Sequence, residues 1–180
     1  MNYEEYAKNK DVIVKAINRW NVIEDGKDTL TINSCVLCKQ RTDTREKCKK
    51  CPISQYYKNT PFEVLIEHTR NVHNTEKIDM YTPNDVCMTC HHMIEDEVTF
   101  LRNLHPFNVG DKVIVTRNWT AEENIAYYPW WGKTIPIESP FEGIIDNISL
   151  GNCEINNHLY PVCVLEPIDR NQNKPVVFKI

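Results

Sequence analysis

Only five glycines occur in 180 residues, and none falls in a pattern that would cradle a phosphate. G-x-S-x-G, H-E-x-x-H and the dinucleotide fingerprint are missing, as is the H-x-E with P-C-x-x-C pair of zinc deaminases. The common hydrolase, zincin, nucleotide-binding and deaminase chemistries therefore have no motif here. No run of eighteen apolar residues exists to span a bilayer, and the start, Met1-Asn-Tyr-Glu-Glu-Tyr, lacks a charged-then-apolar leader. The expectation is a soluble cytoplasmic protein, in the host cytoplasm if phage-encoded, with no membrane partner and with cysteines kept reduced. Repeats and low-complexity segments are also missing.

Cysteine, by contrast, is plentiful, with eight in the chain. Cys35-Val-Leu-Cys38 and Cys48-Lys-Lys-Cys51-Pro52 form two C-x2-C knuckles separated by nine residues. Each knuckle offers two sulfurs from one tight turn, so four thiolates can converge on one tetrahedral ion. Four sulfurs leave no position open for water or substrate, which predicts a structural Zn2+ that folds the protein and performs no chemistry. The alternatives are disulfides or free thiols, and an iron–sulfur cluster, since Cys51-Pro52 is similar to the end of ferredoxin runs, although the nine-residue gap does not match them.

Charge is unevenly spread along the chain. Between Lys39 and Lys58 seven basic residues, Lys49 and Lys50 among them, face two acids. From Asn118 to Arg170 eight acids face two bases. The basic stretch, residues 39–58, suits nucleic acid or an acidic protein surface.

Residues 3–22 predict a helix, with Tyr6, Ile13, Ile17 and Trp20 on one stripe. Thr60-Pro61-Phe62-Glu63 starts a helix to about residue 73, and Thr82-Pro83-Asn84-Asp85 starts another that runs to Leu104 before His105-Pro106. On the second, Cys87, Cys90, Ile94, Val98 and Leu101 follow an apolar stripe, so core packing is the first reading of both thiols. A second metal site using Cys87, Cys90 and either His91 or His68 is the alternative. His68 and His73 are read as surface or internally satisfied histidines.

Glu67-His68, Asn84 and Cys87-Met-Thr-Cys90 loosely resemble the HNH endonuclease pattern, which would make His68 a general base beside a catalytic divalent metal. That family's Asp before the histidine and its Gly-Gly loop are missing here, and residues 61–73 read as helix where it needs a β-hairpin. Nuclease activity is therefore an alternative, not the first reading.

A closer resemblance covers residues 20–104. Trp20, the two knuckles, Thr60-Pro61-Phe62 and Phe100-Leu101-Arg102-Asn103-Leu104 resemble small zinc-knuckle proteins of phages and prophages. The resemblance implies a phage-type accessory protein.

Beyond residue 106 the character changes. Val109-Gly110-Asp111-Lys112-Val113-Ile114-Val115 is a turn followed by an alternating strand, with further strands at 141–150, 160–165 and 175–180. This Gly-Asp-Lys-Val opening resembles the start of SH3-like small β-barrels. Cys153 and Cys163 flank a hairpin and are read as packed thiols. Tyr127, Tyr128, Trp130 and Trp131 lie in the long loop between the first two strands. They either fold back as a lid or form an exposed surface for a peptide, base or nucleotide. The acidic surroundings favour a protein partner there.

The reading is an α+β chain, a helical zinc-binding module at 1–106 followed by an SH3-like β-barrel at 107–180. It acts without catalysis as a phage-type accessory, host-interaction or anti-defence factor, with a host or phage protein as partner. The alternatives are nucleic-acid binding through the basic knuckle, an HNH-like nuclease, and a sponge for a nucleotide signal.

Overall fold

The computed structural model describes residues 1–24, 30–31, 61–74, 77–78, 87–127 and 140–168. The fold class is α+β, and the described residues form four helices, one pair of two-residue strands and two three-stranded antiparallel sheets. The chain divides into two compact units, Met1–Val14 with Arg102–Ile180, and Lys15–Leu101. The division falls inside the first helix, α1 (Tyr3–Glu24).

Asn2 and Glu5 start α1 by a reciprocal cap. The Glu5 N–H donates to Asn2 Oδ1 at 2.9 Å and the Asn2 N–H to Glu5 Oε2 at 3.1 Å, which satisfies two groups the first turn would leave unpaired. Tyr6, Ile13, Ile17 and Trp20 are all buried, the stripe expected from their spacing.

In the Lys15–Leu101 unit, β1 (Leu30–Thr31) pairs antiparallel with β2 (Lys77–Ile78). Between them lies α2 (Pro61–Val72), and α3 (Met88–Arg102) follows. Leu65 and Thr69, one turn apart, form the buried line of α2. The Thr69 hydroxyl donates to the Leu65 carbonyl at 2.8 Å, so this threonine is buried without an unpaired oxygen. On α3 the buried line is Cys90, Ile94, Val98 and Leu101, joined by Glu97.

α3 begins at Met88, six residues after the Thr82 start signal, which lies outside the described residues. Cys87 supplies the first helical carbonyl, accepting from the His91 N–H at 3.0 Å. Cys87 therefore precedes the helix instead of riding on its apolar stripe. Its thiol is only partly buried, whereas that of Cys90 is buried.

The other unit holds both sheets. β3 (Lys112–Val115) is central in one, between β4 (Phe141–Ile144) and β8 (Leu165–Pro167). β6 (Asn152–Ile155) is central in the other, between β5 (Asn147–Ser149) and β7 (His158–Pro161). The chain passes between sheets in two residues. Ile145 bonds back to the β3 side, its N–H donating to Asp111 O at 3.0 Å, while the Asp146 N–H donates to Glu154 O on β6 at 2.8 Å. A 3-10 turn at Val162–Val164 then leads into β8, which returns to pair with β3. Among the described residues no ladder closes the two sheets into a barrel.

Two tight hairpins set the second sheet. Asn156 and Asn157 (φ 54° and 63°) join β6 to β7, and Leu150 and Gly151 (φ 49° and 75°) join β5 to β6. Two consecutive positive φ values are the signature of a type I′ turn, whose twist matches the flanking strands. Gly151 has a second reason to lack a side chain. A Cβ there would strike the Arg102 carbonyl and the Tyr127 ring.

The stretch expected to be one long loop contains a helix, α4 (Ala121–Tyr127). Thr120 and Glu123 cap its start reciprocally, and Glu123 also takes both guanidinium nitrogens of Arg117 at 2.6 and 2.8 Å. At its other end, Arg102 Nε donates to Ala126 O at 2.9 Å and Asn152 Nδ2 to Tyr127 O at 3.2 Å, satisfying carbonyls the helix leaves over. The core of this unit joins Val113, Val115, Ile145, Ile155 and Val164 with Tyr6 and Phe107, whose rings meet edge to face at 6.3 Å.

Candidate metal centre

His68, His73, Cys87 and Cys90 each direct one ligand atom into a common space, and these four atoms all lie within 4.8 Å of one another. The site is built from two helix ends. His68 sits in the last turns of α2 and His73 one residue beyond it, while Cys87 stands before α3 and Cys90 in its first turn.

The histidines are five positions apart, which on a continuing helix would aim them about 140° from one another. The helix does not continue. The His73 N–H still bonds to Thr69 O at 3.2 Å, but Asn74 adopts a left-handed φ of 48° and turns the chain away. At that exit the two rings converge, with centroids 5.3 Å apart and planes at 72°.

Each imidazole meets one sulfur. Cys87 Sγ lies 3.6 Å from His68 Nε2, and Cys90 Sγ lies 3.3 Å from His73 Nε2. A tetrahedral ion with bonds of about 2.3 Å to sulfur and about 2.05 Å to nitrogen requires a sulfur-to-nitrogen edge of about 3.6 Å. The observed edges match that requirement to within a few tenths of an ångström. Two thiols and two imidazoles at these spacings can hold a metal ion.

The thiols differ in character. Partial burial pushes Cys87 upward, but the Cys90 backbone N–H together with hydrogen bonds from His68, His73 and the Cys90 thiol outweighs it, bringing Cys87 down to about 6. Cys90 moves the other way, to about 12, because burial and its interaction with the Cys87 sulfur both hold its proton. One thiolate is thus ready at neutral pH. A metal displaces only the second proton.

A smaller group gathers on the outer side of α3, where Glu24, His91 and Glu95 approach one another within 4.8 Å. His91 Nε2 is 4.0 Å from Glu95 Oε1, and the other oxygen of Glu95 bonds His92 Nδ1 at 3.1 Å. His91, expected as one alternative partner of the Cys87–Cys90 thiols, belongs to this group. His68 takes the thiol side, and His73 completes it.

His73 is the residue that sequence reasoning missed. The signal was present: H-x4-H followed by C-x2-C is a complete two-histidine, two-cysteine donor set, read in the reverse of the common order. Cys35, Cys38, Cys48, Cys51, Lys49, Lys50, Tyr128, Trp130 and Trp131 lie outside the described residues. Tyr127 ends α4 and is 3% exposed, packed beside Gly151, so this one aromatic of the group folds inward. Cys153 and Cys163 are free thiols buried in the sheet unit, where burial raises both. Among the described residues no helix is long and apolar enough to cross a membrane.

Comparison with protein families, with curated proteins and with solved structures returns no match for this chain.

Proposed function

We propose that this chain is a non-catalytic, zinc-stabilised binding protein of the phage accessory type, joining a helical zinc module to an SH3-like small barrel and acting by docking on a host or phage protein. The observation that carries the reading is the His68, His73, Cys87 and Cys90 cluster, with one ligand atom from each residue and all within 4.8 Å. Four protein donors fill a tetrahedral ion, so the metal has no open position and its contribution is structural. Zinc suits two sulfurs and two nitrogens at these spacings better than an iron–sulfur cluster. In the cluster type that takes two histidines, the cysteine and histidine pairs sit on different irons, whereas here each sulfur lies 3.3 or 3.6 Å from an imidazole nitrogen.

The barrel reading draws on strand order. Among the described residues, β3 pairs with β8, the chain crosses between sheets at Ile145–Asp146, and two tight hairpins and a 3-10 turn precede β8, an order that fits the plan of SH3-like folds; the strand expected at 175–180 lies outside the described residues. Against a nuclease stand the helical state of Pro61–Val72, where that family requires a hairpin, and the position of His68 Nε2, which lies 3.6 Å from Cys87 Sγ.

Metal analysis of the purified chain, followed by capture of partners from host lysate with and without nuclease treatment, tests the reading. Zinc bound to these four residues and a protein partner that survives nuclease treatment are expected. Capture that disappears on nuclease treatment would transfer the role to the basic stretch 39–58 and nucleic acid. Metal-dependent cleavage of DNA lost in His68→Ala would overturn the non-catalytic assignment.

A further inference from the structure

We propose that Cys87 and Cys90 form an oxidation-sensitive latch, closing to a disulfide under peroxide and expelling the metal. The inference rests on the metal centre argued above and adds its regulation.

Three observations carry it. The two sulfurs belong to one C-x2-C turn at the start of α3 and lie within 4.8 Å of each other, an arrangement that a disulfide can close by a modest rotation of the side chains. Cys87 is only half-buried, so a small oxidant reaches it. Among the described residues the other two thiols, Cys153 and Cys163, are buried in the sheet unit and provide no competing site. The donors also divide unevenly in chemistry, because imidazoles do not form such bonds. Once both sulfurs are spent, only His68 and His73 remain, and two nitrogens do not hold a structural ion.

The step balances with a peroxide as the oxidant. One S–S bond forms and the peroxide O–O bond breaks. Each cysteine sulfur loses one electron, the two peroxide oxygens gain two, two protons are taken from solvent, and the products are the disulfide, two waters and free Zn2+. A thiol reductant with added zinc reverses it.

The test treats the zinc-loaded full chain with hydrogen peroxide, follows released zinc with a chromogenic chelator, and maps thiol pairing by differential alkylation and peptide mass spectrometry. One equivalent of zinc should leave as a Cys87–Cys90 disulfide appears, and both should revert with dithiothreitol and zinc. Cys87→His keeps four donors but cannot form the disulfide, so its release should fall by one equivalent. Bound zinc with Cys87 and Cys90 still alkylatable after peroxide, or equal release from Cys87→His, would overturn the latch while leaving the metal centre standing. A purified chain with no zinc on these residues would remove the centre and the latch together.

Discussion

His73 and His92 are both exposed and belong to the same unit, but only His73 is part of the four-donor cluster. Alanine at either position removes an imidazole without opening a buried cavity, so the comparison isolates ligation from packing. Structural zinc contributes roughly 10–16 kcal/mol of apparent binding energy, which spread over four donors is about 3 kcal/mol each. At about 1.4 kcal/mol per decade, His73→Ala should weaken zinc binding by about two decades. His92→Ala removes only a surface bond to Glu95 of 3.1 Å and should cost no more than about 0.5 kcal/mol. Competition against a chelator of known strength gives the affinities. Denaturant midpoints at fixed free zinc give the linked stability, where each decade of affinity lost lowers the stabilisation by about 1.4 kcal/mol while zinc remains in excess. Equal affinity in His73→Ala and wild type, or equal destabilisation by the two variants, would refute the assignment of His73 as a ligand.

Three further predictions concern the sheet unit. His105 is 5% exposed, and burial lowers it from 6.5 to about 4, so the unfolded chain binds its proton first and stability is lost as pH falls from 6.5 towards 4. Relative to His105→Leu, wild type should lose about 3 kcal/mol over that window in urea titrations, the difference cancelling any release of metal common to both. Burial pushes the Glu123 carboxyl up, but Arg117 and the Thr120 N–H outweigh it and bring it from 4.5 down to about 2, so its contribution is present above pH 4.5 and lost on acidification through 2. The Arg117 side chain is 41% exposed, which screens the pair, and Glu123→Gln should cost about 2 kcal/mol at pH 7 with a flattened response between pH 4.5 and 2. Gly151→Ala must hold φ at 75° and push a methyl into the Arg102 carbonyl and the Tyr127 ring, so a loss of about 2–4 kcal/mol is expected in the denaturant midpoint, and a neutral result would contradict this packing.

What the sequence made legible follows from how local each signal is. The α1 stripe needed only the helical period, and the strand at Lys112–Val115 needed only a Gly-Asp turn followed by alternation. α4 was missed although Thr120-x-x-Glu123 is the same capping signature as the one at Thr60, which lies outside the described residues but precedes the helix that begins at Pro61. Cys87 was placed on an apolar stripe because the helix was extended back to Thr82, and one residue outside a helix changes which way a side chain faces. The donor set was least legible. Its parts sit at the end of one helix and the start of the next, and their convergence depends on the left-handed turn at Asn74, which periodicity does not encode.

The position of the cluster explains why a metal belongs there. Helices of 12 and 15 residues are marginal alone in water, and the described strands of the Lys15–Leu101 unit are two residues long. A metal on His68, His73, Cys87 and Cys90 fastens the exit of α2 to the entrance of α3 and closes the loop of residues 74–86 between them. By chain entropy alone, closing a loop of that size contributes about 3 kcal/mol, comparable with a disulfide over the same span. The sheet unit draws on ladder pairing, a broad apolar core and the Arg117–Glu123 pair, none of which involves these donors. A partner that recognises the helical unit should therefore lose affinity when zinc is chelated, whereas one that recognises the sheets should not. Measuring captured partner against chelator concentration thus reports which unit carries the binding surface, and retention of every partner at full metal removal would place that surface on the sheets.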